Sequence, residues 1–265
     1  MDVYFMIAFF ILGSVMGSFY HVVATRLSNN ESIISPGSHC TKCGHMIRWF
    51  ENIPIISYII LRGKCSNCKS KIPLSSLAVE ITTGILFLIS FYTFHFSYML
   101  IVSLIFISSL IIVIVSDIEN MIILDEVLVA GSILILLVFG INLVSKMGLL
   151  IGIKLLIFNH IIPGILAFTS MYMLKLFGDF LFKKESLGGG DIKLMFFVGL
   201  VLGFPLTICS IFLATFIAFP IAILIMLLNK EGVIPFGPFL SMSAIMIFIS
   251  KLQFIDILNF LLGLW

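Results

Sequence analysis

Eight apolar stretches, most of them near the roughly 20 residues that a helix needs to cross a bilayer, constrain this 265-residue chain more than any other feature. They run at about 3 to 24, 74 to 94, 97 to 116, 122 to 144, 149 to 177, 192 to 208, 209 to 228 and 239 to 262. In lipid every backbone N–H and C=O must be satisfied within its own segment or in a closed barrel, so runs of this length predict helices. Composition agrees, because 61% hydrophobic residues, 11% charged residues and a mean hydropathy of +1.24 describe no soluble domain. The expected fold is an all-α polytopic membrane protein with about eight transmembrane helices. Lys175 and Asp179 crowd the fifth run, and Lys251 interrupts the last, which predicts an early end followed by an interfacial segment. The first run carries Asp2, no basic residue ahead of it and no small-residue cleavage site, so it reads as a retained helix and not a signal peptide.

Orientation follows from the basic residues, because short loops rich in Lys and Arg stay in the cytoplasm. An N-terminus outside puts Arg26, Lys42, Arg48, Arg62, Lys64, Lys69, Lys71, Lys175, Lys183, Lys184, Lys193 and Lys230 on the cytoplasmic side. Only Lys146, Lys154 and Lys251 remain for the other face. The net charge of +2 is topological in origin, and nothing in the chain points to nucleic acid.

One polar insert, about residues 25 to 75, breaks the membrane pattern and separates a first helix, 1 to 24, from a membrane-embedded core, 76 to 265. It holds four of the five cysteines, as Cys40-Thr41-Lys42-Cys43 and Cys65-Ser66-Asn67-Cys68. Each CxxC turn points two thiolates at one ion, and two such turns complete a tetrahedral zinc site that can fold a segment too small to hold a core. A pair of disulfides or free thiols is the alternative, and disulfides are disfavoured in a reducing cytoplasm. His39 and His45 flank the first pair and offer substitute ligands, although four thiolates suffice. Cys209 lies in an apolar run and reads as a packing residue.

Acids beside apolar runs are expensive unless paired, hydrated or protonated, which makes each of them a functional candidate. Asp117 ends the third run, and Asp191 opens the sixth after Gly188, Gly189 and Gly190. The orientation above brings both to one cytoplasmic edge. Two carboxyls held close in a low dielectric share one proton and activate a water, the logic of an aspartic peptidase. The glycines let a substrate backbone approach Asp191. Taken singly, Asp117 is a helix-end residue and Asp191 an N-cap. Glu119, Asp125 and Glu126 compete with Asp117; of these, Asp125 opens the fourth run and Glu119 reads as solvated. Glu80 lies inside the second run and must find a partner or a polar cavity. Lys193 either neutralises a carboxylate or marks the cytoplasmic end, and His21, His95 and His160 show no metal-ligand spacing.

With these residues assembled, the chain resembles the type IV prepilin peptidases, bifunctional leader peptidases and N-methyltransferases of the GxGD aspartic class. The resemblance rests on Gly17-Ser18-Phe19-Tyr20-His21-Val22 with Arg26, the cysteine tetrad, and Trp49-Phe50-Glu51-Asn52-Ile53-Pro54 with Ser57. It continues through Asp117-Ile118-Glu119, the run Gly188 to Leu194, and Pro235-Phe236-Gly237-Pro238-Phe239. It implies Asp117 and Asp191 as catalytic residues, with Gly188, Gly189, Gly190 and Lys193 in the active-site loop. It further implies cleavage of a short basic leader from prepilins and pilin-like proteins at the cytoplasmic face of a bacterial inner membrane, then N-methylation by S-adenosylmethionine. Leu124 departs from the pattern, standing where the family carries proline. No dinucleotide-type glycine loop marks a place for S-adenosylmethionine; Glu80 and the insert are the candidates. An ion-coupled transporter could also use such acids, but the chain shows no internal duplication. A non-catalytic assembly scaffold that binds pilin-like helices is the third reading.

Overall fold

The computed structural model describes residues 2–183, 185, 187–227 and 235–256. Lys184, Lys230 and the last part of the expected eighth span, 257 to 262, lie outside the described residues. Among the described residues regular structure is helical apart from two isolated bridges, His39 with Met46 and Lys64 with Lys71, and the chain divides into two compact units, Met1–Asn120 and Met121–Trp265.

The first unit contains α1 (Asp2–Ser28), α2 (Ile56–Ile60), α3 (Leu74–Phe94) and α4 (Tyr98–Asn120), with a 3-10 turn at Trp49–Asn52. One stripe of α1 is small: Gly13 and Gly17 are four apart and face α3, with Tyr20 and Ala24 buried further along. A Cβ at Gly13 would sit 2.6 Å from the Thr83 carbonyl oxygen, and one at Gly17 would sit 2.9 Å from that of Val79. The two backbones therefore approach as only a small-xxx-small pair permits, which is how helices associate in lipid without a hydrophobic driving force. Phe106, Ile107, Leu110 and Val113 bury α4.

The second unit contains α5 (Asp125–Met147), α6 (Leu149–Leu156), a π-helical turn Ile157–Ile161, α7 (Ile162–Phe182), α8 (Gly189–Leu202), α9 (Phe204–Leu227) and α10 (Gly237–Ser250). Leu194, Met195, Phe197, Val198 and Leu200 make α8 the buried centre, packed on α5, α7, α9 and α10. At the π turn the His160 ring stacks on Phe139, 3.8 Å between centroids, with Nδ1 2.9 Å from the Leu200 carbonyl oxygen, so His160 is a satisfied core residue joining α5 to α8. Leu124 caps α5 at φ −75° with its side chain buried, a backbone angle that proline would also take.

Six helices among the described residues are long and apolar enough to span a membrane: Asp2–Ser28, Leu74–Phe94, Tyr98–Asn120, Asp125–Met147, Leu149–Phe182 and Phe204–Leu224. The protein is a multi-pass membrane protein. Among the described residues eight full-length spans are not confirmed. The expected sixth run, 192 to 208, is a 14-residue α8 that stops at Gly203, where φ is +77° and the next helix starts at once. α10 also has 14 residues and ends at Lys251, φ +54°, the early end that this lysine predicted. At 1.5 Å per residue each is about 21 Å long, short of a hydrocarbon core of about 30 Å.

Candidate active site and metal centre

Asp117 lies in the last turn of α4 and is only 6% exposed. That turn is held by polar contacts from two other helices of the first unit. Asn120 donates from Nδ2 to Ser28 Oγ of α1, and the Glu119 carboxylate lies 3.2 Å from His21 Nε2 while accepting a hydrogen bond from Ser75 Oγ at 3.3 Å. Glu119 is thus exposed, as its sequence position suggested, and also paired. Both of its partners tie the helix end beside Asp117 to α1 and α3. His21 uses the same Nε2 for Ser75 and Glu119, so the three do not form a nucleophile relay, which needs both ring nitrogens.

Asp191 sits in the first turn of α8 and is 7% exposed. Gly188 is the N-cap, so the carboxylate falls on the third helical residue, where the helix dipole favours negative charge. The three glycines have different duties. Gly190 permits close packing, because a Cβ there would meet Ile123 Cβ at 2.7 Å; a Cβ at Gly188 would stand 3.3 Å from Asp191 Oδ2; around Gly189 nothing lies within 4 Å. Lys193 forms an ion pair with Asp125, both about half exposed, so the lysine neutralises a carboxylate and the acid opening α5 is already engaged. Glu126 is exposed.

Glu80 is buried at 7% exposure, and its Oε2 accepts the Ile55 N–H at 2.8 Å. Ile55 has φ +65° and ψ −52°, and the next amide reaches back from Ile56 to the Pro54 oxygen at 2.6 Å: a γ-turn at a β-branched residue, a conformation that persists only when its surroundings enforce it. Glu80 therefore pins the insert to α3.

In the insert all four cysteines of the tetrad are free thiols, and their sulfurs lie within 4.8 Å of one another. Cys40 and Cys68 Sγ are 3.8 Å apart, and Cys43 and Cys65 Sγ are 4.0 Å apart. Disulfides need about 2.05 Å, whereas four thiolates about 2.3 Å from one zinc ion stand about 3.8 Å apart. The two knuckles are built alike. The Gly44 amide returns to the Cys40 oxygen and the Lys69 amide to the Cys65 oxygen, with Gly44 and Lys69 both at positive φ. The hydroxyl of Ser70, then the amides of Cys43 and Lys42, pull the Cys40 thiol down to about 6. Ser70 also lowers Cys68. Although the His45 amide lowers Cys43, desolvation and the Cys68, Cys40 and Cys65 sulfurs push it up to about 11, the crowding that a divalent cation would relieve. The donor set fits zinc. His39 Nδ1 lies 2.9 Å from the Gly37 oxygen and His45 Nε2 lies 3.6 Å from Glu51, so neither is needed as a ligand.

Sequence reasoning missed one feature on α1. Val15, Ser18, Phe19, Val22 and Arg26, spaced at helical intervals and opposite the glycine stripe, line a cleft of about 470 Å³ whose other wall is the insert. Arg26 spans that wall, donating to the carbonyl oxygens of Ser32 at 3.1 Å, Pro36 at 2.7 Å and Gly37 at 3.2 Å.

Comparison with known proteins is consistent along the chain. Residues 11–94 match the profile of the Bacterial Peptidase A24 N-terminal domain, and residues 104–223 match that of the Type IV leader peptidase family. Among relatives, the chain is similar to proteins named prepilin leader peptidase/N-methyltransferase. That of Bacillus subtilis is 30% identical over 248 residues, 91% of this chain and 92% of the relative. That of Neisseria gonorrhoeae is 28% identical, covering 90% of this chain and 88% of the relative. That of Myxococcus xanthus is 32% identical over 196 residues, 74% of this chain but 55% of the longer relative. No solved structure matches the chain.

Proposed function

This chain belongs to the type IV leader peptidase family, and we propose that it cleaves the leader of prepilins and pilin-like proteins with Asp117 and Asp191 acting as a dyad, then N-methylates the new terminus. The observation that carries the reading is the burial of both acids at helix ends in otherwise apolar elements. Two such carboxyls close together hold one proton between them. The ionised partner takes a proton from water as its oxygen attacks the scissile carbonyl carbon, and the protonated partner hydrogen-bonds the carbonyl oxygen. When the tetrahedral intermediate collapses, the C–N bond breaks and the leaving amine takes up a proton. One water is consumed, and the shared proton is restored. The open space around Gly189 gives an extended substrate backbone room to reach Asp191.

The orientation that the basic residues favour, with the N-terminus outside, presents both aspartates to the cytoplasm, where a prepilin displays its leader while its apolar helix stays in the bilayer. Zinc, held by Cys40, Cys43, Cys65 and Cys68, would be structural: four thiolates leave no open coordination position for catalysis. S-adenosylmethionine supplies a methyl group on a sulfonium. The neutral α-amine forms the N–C bond as the S–C bond breaks, its electron pair staying on sulfur. The protein has only to bind both partners and keep the amine unprotonated. Transport and scaffolding are not favoured.

The test is incubation of the purified protein with a prepilin, with and without S-adenosylmethionine, followed by mass measurement of the product N-terminus. We expect a shortened product in both reactions and a single methyl increment only with the donor. An intact prepilin would overturn the peptidase, and a cleaved product without the increment would overturn the methyltransferase.

A further inference from the structure

The cleft along α1 has no part in proteolysis as derived above, and its chemistry is specific. Its volume of about 470 Å³ falls in the range of small-molecule sites, about 300 to 1,000 Å³, and well below that of a folded peptide. Phe19 presents a half-exposed ring, Ile34 and Pro54 add apolar surface, and Ser18 and Asn52 supply polar groups. At one end stands Arg26. Its guanidinium is bonded to carbonyls alone, and no carboxylate lies within ion-pair distance of it among the described residues. A cation fixed at the end of a cleft and lacking an anionic partner calls for a ligand that brings one. No acid lines the cleft, so a basic leader peptide would find no partner here.

The geometry points to this cleft as the binding site of the methyl donor, an inference that rests on the methyltransferase reading. S-adenosylmethionine carries the missing carboxylate on its amino-acid end, for Arg26. Its sulfonium is a soft cation that an aromatic face stabilises without a counter-ion, which is the service Phe19 offers. Its adenine presents an adjacent donor and acceptor, the pattern that an Asn side-chain amide reads, and Asn52 lies at the other wall. The γ-turn held by Glu80 begins at Pro54, so Glu80 is a positioning residue for this wall.

The test uses the full-length protein in lipid nanodiscs and measures equilibrium binding of S-adenosylmethionine and of its product S-adenosylhomocysteine, whose sulfur is uncharged. Ser18→Trp fills the cleft and should abolish binding of both. Phe19→Leu should weaken S-adenosylmethionine by about 3- to 30-fold while changing S-adenosylhomocysteine much less, a split that general loss of structure would not produce. Thermal unfolding reports folding of each variant; if Ser18→Trp fails to fold, the Phe19→Leu split decides. Wild-type binding that survives in a folded Ser18→Trp protein overturns the assignment, as does equal weakening of both ligands by Phe19→Leu. Loss of co-purifying phospholipid from Ser18→Trp with donor binding intact also overturns it and identifies a lipid groove. If wild-type protein binds neither ligand, the methyltransferase reading itself falls, and the site with it.

Discussion

Among the described residues the buried acids are Glu80, Asp117 and Asp191, and they stand in different settings. Asp117 and Asp191 stand at helix ends, while Glu80 sits inside α3 and spends its carboxylate on one backbone amide. The sequence marked Glu80 as an acid that needs a partner, but could not name that partner, because Ile55 lies 25 residues away across a turn with no local signature. Glu119 is exposed as read, but its partners were not legible for a similar reason: His21 and Ser75 come from α1 and α3, far off in sequence. Replacing Glu80 removes the acceptor for a buried N–H, a loss worth about 1–3 kcal/mol. Glu80→Ala should therefore lower the thermal midpoint by several degrees, with Glu80→Gln falling between, since its amide oxygen still accepts. An unchanged midpoint for Glu80→Ala would show that the turn holds without it.

At the scale of elements, the parts that were legible are those whose chemistry is local. Two CxxC turns announce themselves by spacing, and the structure gathers their sulfurs as that spacing requires. Chelation of zinc should expose four rapidly titrating thiols and loosen the insert while most of the helical signal persists, because the membrane helices do not depend on the metal. A purified protein without zinc, its thiols freely reactive from the outset, would remove that site from the account. The glycine run was legible as a place of close approach, though not which glycine serves which neighbour. Gly190→Ala should destabilise the second unit by about 1–3 kcal/mol through its collision with Ile123. Gly189→Ala should leave the thermal midpoint unchanged or slightly raised, as a helix position gains a better former. Leader cleavage should nevertheless fall if substrate backbone passes there; cleavage at the wild-type rate would remove Gly189 from the substrate path. The division of the sixth and seventh runs was misplaced because both are uniformly apolar and the break depends on the backbone at Gly203.

For the whole molecule, hydropathy identified the class, but length in sequence is not length in a membrane. α8 and α10 are apolar and central, yet too short to span alone, and α8 carries Asp191 in its first turn. An acid is easier to hydrate at the end of a short buried helix than in the middle of a full span. The two family profiles meet between residues 94 and 104, whereas the compact units divide after Asn120, so each proposed catalytic aspartate lies in a different unit although both lie within the peptidase profile. The most direct measurement is prepilin cleavage by wild type, Asp117→Asn and Asp191→Asn across a range of pH, with substrate binding followed in parallel. The account predicts that either substitution abolishes cleavage while binding persists, and that wild-type activity falls when the shared proton is lost at high pH or a second is gained at low pH. Undiminished cleavage by either variant would contradict it.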